Sequence, residues 1–287
     1  MNPNKPQTGF SKSLYCFVPL LIYIGISYVI AAIYEMFLAV TLMAGNPNLS
    51  VDELKNSVIN EATAQNSKLM IAISVVVLIV MGILFLKKEF RSFDQNYQNR
   101  IRPLEYLGTI GLSIGVFIAV TIIIQILYSI FGNTALFSSY TDTMELLLQD
   151  KFWINLLSVG ILAPISEELL FRGLIFNRMR YYMHENYAIV FSSLVFALMH
   201  APTVIQIIYA FLLGCVLSYA YSKFENILVP ILIHMVFNLS NFPFMTNALK
   251  NFPSTVAQSL LYYGLGVVLC AVGLRMLIKK RKPATKL

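Results

Sequence analysis

Apolar runs long enough to cross a bilayer recur from one end of this chain to the other, and they decide which architectures are open to it. A helix needs about 20 apolar residues to span a hydrocarbon core about 30 Å thick. Window reading gives roughly eight runs: residues 14–44, 69–86, 104–131, Phe152–Tyr182, 188–200, 203–221, 227–240 and 256–278. Backbone N–H and C=O groups inside lipid must be satisfied within the segment, so each run is expected to be helical. The expectation is an all-α, polytopic membrane helix bundle of about eight transmembrane helices, forming one domain over residues 1–287. A short helix is expected over Val51–Ala64, and a polar stretch carrying Asp142, Glu145 and Asp150 joins the third run to the fourth.

The net charge of +7 resembles a nucleic-acid signal until the basic residues are located. They cluster between apolar runs, as at Lys87, Lys88, Arg91, Arg100 and Arg102, with no interleaved aromatic patch, so nucleic acid is excluded as a partner. Placing both termini in the cytoplasm collects every basic residue there except Lys55, Lys68, Lys151 and Lys250, which sets the expected orientation. Cys16, Cys215 and Cys270 all lie in apolar runs without metal spacing and read as small buried hydrophobes. Glu35 reads as an interfacial residue and His184 as a solvated loop residue.

Polar groups inside three of these runs need a reason to be there. Each ionisable residue in a span costs at least about 2.5–3.5 kcal/mol on insertion scales, and such residues mark functional sites by default. The fourth run carries Glu167, Glu168 and Arg172. On a helix Glu168 and Arg172 stand one turn apart and can pair, while Glu167 points about 100° away and keeps its carboxylate free. An ion pair that merely locks two helices is the structural alternative. His200 ends the short fifth run just before Ala201-Pro202, where the helix should stop and the chain turn at membrane depth. Such backbone is tolerated only when buried in protein or lining a wet cavity. His234, Asn238 and Asn241 share one face of the seventh run; Asn241 is read as bonding to a neighbouring helix. One carboxylate, two imidazoles and an amide supply a general base, a proton shuttle and oxyanion donors. Helical rise sets Glu167 and His234 in the cytoplasmic half of the membrane, so a wet cavity opening on that side is expected to hold Glu167, His200, His234 and Asn238.

At these residues the chain resembles the CPBP family of intramembrane proteases, which includes the eukaryotic type II CAAX prenyl endopeptidases. The family pattern E-E-x-x-x-R, F-x-x-x-H and H-x-x-x-N reads here as Glu167-Glu168-x-x-x-Arg172, Phe196-x-x-x-His200 and His234-x-x-x-Asn238. The resemblance covers the motif region, about residues 152–241. It implies peptide-bond hydrolysis within the bilayer, in a conical cavity open toward the cytoplasm. Glu167 would activate water, His200 assist proton transfer, and His234 and Asn238 hold the oxyanion, with Glu168, Arg172 and Phe196 in support.

No cofactor is expected. The family is also described as metalloproteases, and if zinc were present Glu167, His200 and His234 would be its ligands, though they lack local ligand spacing. The implied partners are the lipid bilayer and a membrane protein or peptide substrate such as a pheromone, bacteriocin or CAAX-like peptide. The competing reading is a non-catalytic membrane regulator or immunity protein that binds a membrane sensor through the same fold. A proton-coupled transporter is a third, weakened by the absence of inverted repeats.

Overall fold

The computed structural model describes residues 9–96, 103–148, 151–245 and 256–279. Both termini lie outside these residues, as does the basic stretch 97–102. Ten helices follow in order: α1 Gly9–Gly45, α2 Val51–Ala64, α3 Asn66–Asn96, α4 Pro103–Phe131, α5 Ala135–Leu148, α6 Phe152–Tyr182, α7 Glu185–Leu198, α8 Val204–Phe224, α9 Leu228–Met245 and α10 Val256–Lys279. Among the described residues six of them, α1, α3, α4, α6, α8 and α10, are long and apolar enough to cross a membrane, while α7 and α9 are shorter apolar helices. The protein is an all-α, multi-pass membrane protein.

The polar stretch between the third and fourth runs is mostly helix. Its sheltered residues Leu136, Phe137, Tyr140, Thr143 and Met144 recur at helical spacing. The intervening Ser138, Ser139, Thr141, Asp142 and Glu145 face outward, which is why a hydropathy window misses it. The short helix α2 forms over the expected residues. Ser50 caps it, accepting from the Glu53 N–H, while the Glu53 carboxylate accepts from the Ser50 N–H and hydroxyl. Those two hydrogen bonds hold the Glu53 carboxyl below its ordinary value. Glu35 and His184 are exposed, and the three cysteines are free.

Small residues let α4 and α10 pack at close range. A Cβ at Gly115 would stand 2.7 Å from the Cys270 backbone nitrogen, and one at Gly273 would stand 2.6 Å from Leu112 Cβ. Since lipid gives no hydrophobic drive between helices, this contact is held by close van der Waals approach. Gly115→Leu is therefore expected to lower stability by about 3 kcal/mol and to free α10 for proteolysis in detergent. Gly264→Leu, at a position with open space around it, should behave as wild type.

Two apolar clusters make up the core. One joins Val77, Met81 and Phe85 of α3 to Leu170, Leu174 and Ile175 of α6. The other joins Leu112, Val116 and Phe117 of α4 to Leu213 and Leu217 of α8 and Ile233 of α9. They meet along α8, where Ala210 belongs to the first and Leu213 to the second.

Candidate active site

Helix α6 brings the carboxylates into place through two π-helical stretches, Leu156–Leu162 and Leu169–Phe176, on either side of them. The cause of the first can be read from Pro164. The Ala163 N–H bonds back five residues to the Ser158 carbonyl, and Pro164 has no N–H to give. The Val159 carbonyl thus loses both ordinary partners, and the Asn238 side chain donates to it instead at 2.9 Å. The pattern of the motifs sent both Asn238 and His234 toward one point in the cavity. One N–H of Asn238 is instead committed to this helix, and the other remains. Asn241 likewise bonds within its own helix, donating to the Phe237 carbonyl rather than to a neighbour.

Glu168 and Arg172 pair as the four-residue spacing predicts, at 2.6 Å and with both side chains fully buried. The same Glu168 Oε1 also accepts from His234 Nδ1 at 2.8 Å. Arg172 donates its other Nη to the Gly214 carbonyl of α8 at 3.2 Å, and its guanidinium lies 4.5 Å from the centre of the Phe196 ring. Phe196 is fully buried and stands against His200, with ring centres 4.4 Å apart, and against His234 at 5.7 Å. The second motif's aromatic residue is thus the packing surface for the charged ones.

Helix α7 is short, as expected, ending at Leu198. At about 1.5 Å per residue its 14 residues reach only about 21 Å. Residues 199–202 form a turn in which Met199, Ala201 and Pro202 are exposed and His200 is half-buried, and Thr203 caps α8 by accepting from the Gln206 N–H at 3.2 Å. That turn presents His200. Its Nδ1 contacts the Phe196 carbonyl at 2.8 Å; since a carbonyl only accepts, Nδ1 carries a proton and Nε2 faces the cavity. His200 Nε2 stands 3.8 Å from Glu167 Oε2, and His234 Nε2 stands 3.9 Å from the same oxygen. Glu167 Oε2 is buried and has no hydrogen-bond partner. Three helices therefore aim one carboxylate and two imidazoles at one spot, too far apart for direct hydrogen bonds and close enough for one water to touch all three.

These groups line a chamber of about 340 Å³ with Asn238, Gln206 and Tyr209. Its remaining walls include Met70 near the start of α3, Thr143 of α5 and the turn 199–202. All of these lie at the bundle end away from Arg178, Arg180 and Lys223. The stretch Leu169–Phe176, which leads from the carboxylates toward that basic end, is buried throughout. Tyr23, Met70 and Thr143 are wall residues that the motifs did not reveal. Each is an ordinary residue of its helix, with no unusual polarity to mark it.

A zinc ion does not fit this donor set well. Ligands about 2.0–2.1 Å from a shared tetrahedral zinc stand about 3.4 Å apart, closer than the 3.8 and 3.9 Å found here. Among the described residues no group of three His, Cys, Asp or Glu side chains converges enough to hold a metal.

Residues 149–240 match the model of the type II CAAX prenyl endopeptidase Rce1-like family. The chain is 26% identical over 158 residues to UPF0177 protein YxdF of Lactococcus lactis, covering 54% of this chain and 81% of that one. It is 35% identical over 86 residues to an uncharacterized 24.3 kDa protein of Escherichia coli, across 29% of this chain and 40% of the relative. It is 33% identical over 99 residues to the membrane-embedded CAAX protease MroQ of Staphylococcus aureus, across 32% of this chain and 40% of that protein. No solved structure matches. Over residues 149–240, which carry the three motifs in order on α6, α7 and α9, the chain is thus similar to the type II CAAX prenyl endopeptidase Rce1-like family and to a membrane-embedded CAAX protease.

Proposed function

We propose that this protein is an intramembrane endopeptidase that hydrolyses a peptide bond in a membrane-associated protein or peptide, using water activated by Glu167. The observation that carries the reading is the convergence of His200 and His234, from two other helices, on the unpartnered Glu167 Oε2. Glu167 takes a proton from water as the water oxygen bonds to the scissile carbonyl carbon. The carbonyl oxygen becomes an oxyanion, met by His234 Nε2–H and the second N–H of Asn238. As the C–N bond breaks, the proton held by Glu167 passes to the leaving nitrogen, directly or by way of His200 Nε2.

Geometry favours this assignment for His234: its Nδ1 lies 2.8 Å from Glu168 Oε1, which turns Nε2 toward Glu167 and the chamber. Glu168 thereby acts as a positioning residue, fixing the ring and the proton that the oxyanion needs.

The reading is tested by comparing membrane peptides from cells carrying wild type and Glu167→Gln: a cleavage product present only with wild type identifies the substrate. A bacterial pheromone, bacteriocin or CAAX-like peptide is the substrate class proposed. Identical peptide sets from the two cell lines would remove the reading. The chemistry is proposed to be metal-free. Purified protein is then expected to hold no stoichiometric zinc and to keep its activity in strong chelators, checked by elemental analysis alongside an activity assay. Stoichiometric zinc that disappears together with activity in His200→Ala would reverse this.

A further inference from the structure

A second cavity, of about 520 Å³, runs between α1 and α3 and is floored by α6. It shares Glu167 with the polar chamber, along with Tyr23, Met70, Ala163 and Met199. The two spaces therefore adjoin at the proposed base. Their walls differ in kind. The chamber presents imidazole and amide groups. The groove is walled by Ile24 and Ala31 of α1 and Ile73 of α3, and the hydroxyls of Ser27 and Ser166 donate back to the Tyr23 and Ala163 carbonyls of their own helices. At its outer edge Tyr28 is 74% exposed, so the groove is continuous with the lipid-facing side of α1.

These walls decide what the groove can hold. A peptide backbone opened for hydrolysis needs partners for its N–H and C=O groups, and leaving them unmet in an apolar setting costs several kcal/mol each. The chamber can meet that need, whereas in the groove the Ser27 and Ser166 hydroxyls already give their hydrogens to their own helices and have none for a substrate carbonyl. The volume is within the roughly 300–1,000 Å³ of pockets that enclose a small ligand. We propose that the α1–α3 groove is a specificity subsite for large apolar side chains flanking the cleaved bond of a bilayer-resident polypeptide. The cleaved backbone itself lies in the chamber. This rests on the peptidase reading above. Ser27 and Ala31 set the depth of the subsite, because both are half-buried on the groove side of α1 and small.

The probe is a synthetic transmembrane peptide carrying a diazirine analogue of leucine, reconstituted with the protein in liposomes. In the Glu167→Gln protein, photo-crosslinks are expected on α1 and α3 around Tyr28 and Ile73, reduced about tenfold by Ala31→Trp and by Ser27→Trp. In the otherwise wild-type protein, either tryptophan should lower the ratio of cleavage of a leucine-flanked peptide to an alanine-flanked one, again by about tenfold. Crosslinks that map elsewhere, or that survive both tryptophans as they would if a lipid acyl chain fills the groove, overturn the proposal. Crosslinks at the groove without any cleavage by wild type would support the subsite and remove the peptidase reading instead. Because crosslinking is read without turnover and at two separate positions, misfolding of one variant does not decide the result.

Discussion

Glu167→Gln is expected to lower turnover about a thousandfold while the protein folds and accumulates as before. A positioned general base contributes roughly 10²–10⁴-fold, and an amide has nearly the carboxylate's shape but cannot take the water's proton. The fold should be indifferent because Glu167 Oε2 has no hydrogen-bond partner to lose and the side chain is 19% exposed to the chamber. The measurement is single-turnover cleavage of the identified membrane peptide in liposomes, with thermal unfolding of both proteins in the same detergent. A loss smaller than about tenfold would move the base elsewhere. Glu168→Gln separates the two carboxylates: it should cost both accumulation and activity, since it changes the partner of Arg172 and of His234 at once.

Arg172→Met is expected to destabilise the protein by about 3–5 kcal/mol, the cost of leaving one member of a buried ion pair unmatched. Glu168 and Arg172 are both fully buried, so the carboxylate would be left with His234 as its partner and no water to make up the loss. The substitution also frees the Gly214 carbonyl and the face of Phe196, loosening α8 and α7 against α6. Thermal unfolding in detergent should show the loss, with reduced protein in the membrane. Adding Glu168→Gln should restore much of the stability, because replacing both partners of a buried pair is often close to neutral. Activity should stay low in the double variant, since His234 no longer has a carboxylate at Nδ1. An Arg172→Met protein as stable as wild type would show that the pair is not what joins these helices.

The architecture was legible wherever composition alone decides it. Long apolar runs mark spans, and ionisable groups within them stand out, so Glu167, Glu168, Arg172, His200 and His234, which the fold brings together, could be singled out without coordinates. What escaped the sequence depends on geometry between helices. Helix α5 alternates Leu136, Phe137 and Tyr140 with serines and acids, so its mean hydropathy is unremarkable although its pattern is helical. Tyr23 and Met70 line both cavities from spans far from the motifs, and nothing in their identity sets them apart from other residues of those spans. The bond between Asn238 and the Val159 carbonyl depends on a π turn, which no spacing rule gives.

The π stretch at Leu156–Leu162 has an evolutionary corollary. A π turn amounts to one residue more than an α-helix would use over the same rise, and each α-helical residue turns the helix by about 100°. Losing one residue there would let the helix relax to regular geometry over the same rise, so Asn155, which accepts from Ser67 of α3 at 2.7 Å, would keep its register with Glu167. The α-helical turn Ala163–Glu168 has no such slack, and losing a residue there would turn the anchoring half of α6 against its reactive half by about 100°. Length variation in α6 is therefore expected to be tolerated in the π stretch and not in the turn that carries the carboxylates.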